Sequence, residues 1–271
     1  MMKLPTRIIE KPWGRTDIPA IFGDFGGRRI GEIWFEDPLG DTAPLMVKFL
    51  FTSARLSIQV HPDDAAAQAA GFARGKEECW LVLDASADAE LGVGLKAPSS
   101  AEALRAAALD GSIIDLIDWR SAKTGDFVYN AAGTIHAIGA GLMVVEVQQN
   151  VDCTYRLYDY GRLDKGQARG LHLDAGLAVA RTMPHDDPRD THVANAGTQR
   201  LVSGPHFNVI HAAGPLDSGT LPADGRYTIV PLGHGCTVEG TPLSLGECAI
   251  IDTLGKLDLQ AGASVLIAWP A

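Results

Sequence analysis

R-L-S-I-Q-V-H-P-D-D-A-A-A-Q-A-A-G-F-A-R-G-K-E-E-C-W, Arg55 to Trp80, is the stretch that decides how this chain is read. Polar and apolar residues alternate from Arg55 to His61, so Leu56 to His61 is predicted as a strand. Pro62 ends it, because proline brings no N–H to a ladder. Alternation puts Ser57, Gln59 and His61 on one face. Asp63 to Arg74 is rich in alanine and predicted helical, with Asp63 or Asp64 as its cap and Gly75 as its stop. Glu78 to Ala85 is a second predicted strand. Glu78 opens an apolar run there, where an unpaired carboxylate would be costly to bury.

A second piece, Gly125 to Arg162, belongs with the first. It carries His136 in G-T-I-H-A-I, then a hairpin turn at Gly139 to Gly141, then a return strand from Leu142 to Gln149. Period two groups Glu146 with Val144 and Gln148 on one face of that strand. Taken singly, His61 reads as a satisfied histidine beside Pro62, and His136 as a turn histidine. Taken together, Gln59, His61, Glu78 and His136 offer two imidazoles, a carboxylate and an amide oxygen. That is a shell for a divalent metal with a position left open for water or substrate. By donor type alone it also accepts Fe, Mn, Co or Ni.

L-S-I-Q-V-H-P-D-D, G-K-E-E-C-W, G-T-I-H-A-I-G and E-V-Q-Q-N-V-D-C-T-Y-R-L-Y-D-Y-G-R occur in that order. Together they resemble the signature segments of the type I phosphomannose isomerases, zinc-dependent members of the cupin superfamily. The resemblance spans roughly residues 8 to 175, and four linked segments make it specific. It implies that Gln59, His61, Glu78 and His136 bind zinc and that Lys48 lines a substrate pocket. It also implies that Arg156 is a catalytic arginine and Glu146 an active-site glutamate. Arg162, where some members of the family have lysine, is a candidate with Lys48 and Ser57 for holding the phosphate or orienting the sugar. Ser57, on the face of Gln59 and His61, is a candidate for a phosphate oxygen. The expected reaction interconverts mannose 6-phosphate and fructose 6-phosphate by proton transfer between C1 and C2. The other readings are a non-catalytic sugar-phosphate-binding cupin and a different metallocupin enzyme. Gln59, where a dioxygenase usually has the first histidine of H-x-H, argues against the last.

At 271 residues the chain is long enough for a sizeable core, and 46% hydrophobic with 21% charged is ordinary for a globular protein. A net charge of -10 argues against nucleic acid or an anionic membrane as partner, while a local cluster of Lys and Arg still admits a small anion such as a sugar phosphate. Cys79, Cys153, Cys236 and Cys248 form no C-x-x-C pair, which suits reduced thiols in the cytoplasm. M-M-K-L-P-T-R-I-I-E-K-P-W-G does not read as a signal peptide, and no apolar stretch is long enough to span a membrane. Nothing in the sequence fixes the oligomeric state.

Many short strands with glycine turns predict a mainly β protein: two cupin-like jelly-roll barrels with a few short helices. Residues 1–171 are assigned to a metal-binding catalytic domain with a small helical segment near 98–118. Residues 172–271 are assigned to a linker and a degenerate cupin-like domain. Residues 1–24 read as a lead-in, and about 172–202 as a linker or covering segment. The turn Ser244 to Ile251 echoes Thr124 to Tyr129. The C-terminal unit lacks Q-x-H, the glutamate and G-T-x-H, so its expected role is structural.

Overall fold

The computed structural model describes residues 1–271 except Lys165, Ser218 and Thr220. The strands stack in layers. A five-stranded sheet faces a seven-stranded sheet; a six-stranded sheet packs behind the latter and is capped in turn by a three-stranded one. The mainly β, jelly-roll expectation holds, with one correction. The sheets are open, not closed barrels. The outermost strand of the seven-stranded sheet, Thr6–Arg15, illustrates why: it contains Pro12 and its register slips twice against Ile30–Phe35. Proline and irregular register belong at a sheet edge. This strand lies within the lead-in expected over residues 1–24.

Alternation explains why the seven-stranded sheet carries apolar residues on both faces. Phe49, Leu81, Phe127, Val145 and Val147 point away from the five-stranded sheet and pack with Val202, Phe207, Val209 and Leu266 of the C-terminal unit. Leu50, Trp80, Val82 and Val144 point inward, toward the five-stranded sheet, and pack with Leu91, Val93 and Ile138. The inward face also carries Lys48, Glu78 and Glu146, so the site lies between the two sheets. The outer face of the five-stranded sheet is covered by helices Ala101–Asp110, Ile113–Leu116 and Leu173–Val179.

Ser100 caps the first of these helices and left-handed Gly111 ends it. The alanine-rich segment is shorter than expected. Its helix is Asp64–Ala69, with the Asp63 carboxylate accepting from Ala66 N at 2.8 Å. Gly71 at φ +87 breaks it, well before Gly75. The span read as a linker contains helix Leu173–Val179. It also contains strand Thr191–His192, which pairs with Asp126–Asn130.

The echoed turns match in detail. Lys123 N donates to Asp126 Oδ2 at 2.8 Å, and Ser244 N donates to Glu247 Oε2 at 2.9 Å. Gly125 and Gly246 take positive φ in the two turns. No helix among the described residues is long and apolar enough to cross a membrane.

Candidate metal centre and substrate pocket

Two cross-strand rows build the site. On the five-stranded sheet, Gln59 is the register partner of His136 on one side and of Arg156 on the other. On the facing sheet, Trp34, Lys48, Glu146 and Trp80 stand opposite one another in sequence. Glu78 lies one inward position along, flanked by Gln148 and Asn130. Residues far apart in the chain therefore meet because their strands are neighbours and their side chains share a face.

His61, Glu78 and His136 are buried, and one ligand atom from each lies within 4.8 Å of the others. His61 Nδ1 lies 2.8 Å from Cys153 O, and His136 Nδ1 lies 2.9 Å from Thr134 O. A carbonyl can only accept, so each ring carries its proton on Nδ1 and turns a bare Nε2 inward. The two Nε2 atoms are each 3.4 Å from a Glu78 oxygen. Fixed tautomers with converging lone pairs suit metal ligation, and such backbone partners hold ligand rings in place. The cluster is therefore able to hold a metal ion. Gln59 sets its amide nitrogen 3.2 Å from His136 Nε2, and Ser57 Oγ donates to Gln59 Oε1 at 3.0 Å.

Burial pushes the His136 pKa down to about 3, helped by neighbouring His61. Burial also lowers His61, reinforced by Lys76. Both rings are thus neutral near pH 7. Burial alone would raise Glu78, but the Lys76 ammonium holds it well below the usual carboxylate range.

Lys76 was missed by the sequence reading. Its ammonium lies 2.9 Å from His61 Nε2 and pairs with Glu78. Burial works against its charge, yet the carboxylates of Glu78 and Glu146 lift its pKa to about 12. The signal was available: Lys76 and Glu78 are two apart at the entry to a strand. Asn130, also missed, donates from Nδ2 to Glu78 Oε1 at 2.9 Å.

Lys48 Nζ is 3.3 Å from Glu146 Oε1 and sits 4.5 Å from the centre of the Trp34 ring. Trp80 Nε1 donates to Glu146 Oε2 at 3.2 Å. Burial, with the charge of Glu78, raises the Glu146 pKa, while Lys76 and Lys48 restrain the rise. Lys48, Ser57, Gln59, Glu78, Glu146 and Arg156 all line one polar cleft. Arg162 does not join them. Its guanidinium donates to Arg55 O and pairs with Asp159. Arg169, unremarked in the sequence, does line the cleft.

No family model matches the chain. Among curated proteins, the probable mannose-6-phosphate isomerase GmuF of Bacillus subtilis is 39% identical over 199 residues, 69% of this chain and 62% of that one. The mannose-6-phosphate isomerase of Streptococcus mutans is 40% identical over 169 residues, 61% of this chain and 53% of that one. The match thus spans about 62% of the length of the first of these relatives. The crystal structure of mannose 6-phosphate isomerase from Bacillus subtilis superposes with a TM-score of 0.82 at 27% identity, covering 98% of each chain. In sequence over about two thirds of its length and in fold over nearly all of it, the chain is similar to bacterial mannose-6-phosphate isomerases.

Proposed function

We propose that this protein interconverts mannose 6-phosphate and fructose 6-phosphate with a zinc ion held by Gln59, His61, Glu78 and His136. The observation that carries the reading is the convergence of His61, Glu78 and His136, with Glu78 lining the same cleft as Glu146 and Arg156. The bound ion would supply Lewis acidity toward the sugar oxygens at C1 and C2. The rest falls to the chain. Glu146, buried and with its pKa raised by that burial, takes the proton from one carbon and returns it to the other. Arg156 stabilises the negative charge that develops on oxygen meanwhile. Lys48 keeps Glu146 paired, and Ser57 orients Gln59 and the sugar. Arg162 supports the pocket wall through Asp159.

In this proposal residues 1–171 form the catalytic unit, because every ligand and cleft residue named comes from it. Residues 172–271 buttress the sheet that carries Glu78 and Glu146. A reducing cytoplasmic setting fits the four cysteines, all free and buried.

The test is conversion of mannose 6-phosphate to fructose 6-phosphate by purified protein as isolated, after chelation and after zinc add-back, with metal content measured alongside. Turnover lost on chelation and restored by zinc is the expected result. Absence of turnover with one metal bound per chain would overturn the assigned reaction.

A further inference from the structure

Charges lining the cleft do not cancel evenly. Lys11 pairs with Glu32 at 3.5 Å, Lys48 with Glu146 at 3.3 Å, and Lys76 with Glu78. Three lysines and three glutamates are thereby accounted for. Arg156, Arg169 and the exposed Asp152 are the remaining charged residues of the lining. Among the described residues neither Arg156 nor Asp152 makes an ion pair. Arg156 Nε is buried with no hydrogen-bond partner, and so is Arg169 Nη1.

The fold holds these two guanidiniums in one region. His172 N donates to Arg156 O at 2.8 Å, and Arg156 N donates to His172 Nδ1 at 3.1 Å. That double contact fixes the segment carrying Arg169 against the edge strand Tyr155–Tyr158. Arg169 Nε lies 3.5 Å from Asp159 Oδ2, and Asp159 already serves Arg162. One carboxylate therefore stands between two arginines, with Arg156 beside them. Burial and the field of Arg156 both disfavour the charged form of Arg169.

Buried N–H groups without partners are costly and need an explanation. Two of them on adjacent like charges, in the wall of a cleft, are satisfied together by an anion. A guanidinium fork matches the spacing of phosphate oxygens. We propose that Arg169, with Arg156 beside it, forms the anion-binding end of the cleft and selects a phosphorylated over a free sugar. The inference deepens the isomerase reading and rests on it for the identity of the sugar, but not for the anion. Arg156 is the register partner of Gln59, next to the metal ligands. Arg169 comes from beyond the edge strand, so the phosphate is held at the end away from the metal.

The experiment compares Arg169→Gln and Arg169→Lys with unmodified protein, and with Arg105→Gln as an exposed-arginine control. Inorganic phosphate binding is measured by calorimetry, and kcat and KM are measured for mannose 6-phosphate. Zinc content and Tm are recorded for each. Arg169→Gln should weaken phosphate binding and raise KM by about tenfold or more, with kcat and zinc content little changed. Arg169→Lys should recover part of the loss, since lysine restores the charge without the fork. Phosphate affinity and KM unaltered in both Arg169 variants would overturn the proposal. Should unmodified protein bind phosphate but not turn over mannose 6-phosphate, a loss of phosphate binding in Arg169→Gln would still support the anion site. In that case the isomerase reading alone would fall.

Discussion

Lys48 and Glu146 stand directly opposite each other on neighbouring antiparallel strands, with Nζ and Oε1 3.3 Å apart and both side chains almost fully buried. A buried pair of this kind costs more to break than to replace, because removing one partner strands the other's charge. Lys48→Met should destabilise the protein by about 3 kcal/mol, the low end for a broken buried pair. The low end applies because Lys76 Nζ, 4.0 Å from Glu146 Oε1, still opposes the stranded charge. Adding Glu146→Gln should restore part of the stability. Denaturant melts of the two single variants and the double variant would measure the coupling. Strict additivity would mean that the pair contributes nothing.

The neutral histidines make stability depend on pH in a definite direction. An unfolded histidine titrates near pH 6.5. In the fold His61 is lowered and His136 lies at about 3. Between those limits the unfolded chain binds more protons, so stability falls as pH falls. Glu78, held low in the fold, adds to the loss below its unfolded pKa near 4.3. Glu146, raised in the fold, acts with opposite sign and offsets part of it. The chelated protein should therefore show a falling Tm from about pH 7 to pH 5, where unfolded histidines take up their protons. His136→Gln should flatten that slope. A Tm unchanged over this interval would contradict the assignment of neutral buried rings.

Much of this architecture was legible because apolar periodicity is local. Leu45–Phe51, Glu78–Ala85 and Leu142–Gln149 follow the strand pattern, and the proposed ligands Gln59, His61, Glu78 and His136 sit on or beside such strands. What could not be read depends on contacts distant in sequence. Alanines favour helix from Asp63 to Arg74, yet Arg74 reaches Ala43 O at 2.8 Å and Asp64 Oδ1 accepts from Gly75 N at 2.8 Å. Those tertiary bonds pull the chain out of helix early. Lys76 stands two residues before Glu78, but its burial against that carboxylate comes only from the fold. The ligation pattern of Arg162 and Arg169 likewise depends on Asp159, which serves both.

Gly75 is a position where close approach, not backbone freedom, demands glycine. A Cβ there would lie 2.4 Å from Asp63 C and 2.7 Å from Pro62 O. Those are backbone atoms and cannot rotate away. Lys76 N bonds to Pro62 O at 3.0 Å, so displacing this loop displaces Lys76 and the start of the strand bearing Glu78. Gly75→Ala should lower zinc affinity by about tenfold or more in competition with a chromophoric chelator, and lower Tm as well; overpacking of this sort costs about 1–3 kcal/mol. Gly71→Ala is the contrast: φ is +87 but nothing lies within 4 Å of its Cβ. That change should cost about 1 kcal/mol of stability and leave zinc affinity alone. Equal zinc affinities in the two variants would argue against the loop as a metal-site support.

Glu146→Gln separates proton transfer from binding. The amide is nearly the same size and keeps an oxygen for Trp80 Nε1, which now donates to Glu146 Oε2 at 3.2 Å. It cannot take up a proton at neutral pH. General base catalysis is worth about a hundred- to ten-thousand-fold, so kcat should fall by that order. Zinc stoichiometry and inorganic phosphate affinity should stay near those of the unmodified protein, because neither the His61–Glu78–His136 cluster nor Arg169 is altered. Exchange of the sugar C2 proton with deuterated solvent, followed by NMR, should be lost together with turnover. Full turnover with zinc bound would remove Glu146 from the proton path and direct attention to Lys76 and Glu78, the other titratable pair at the metal centre.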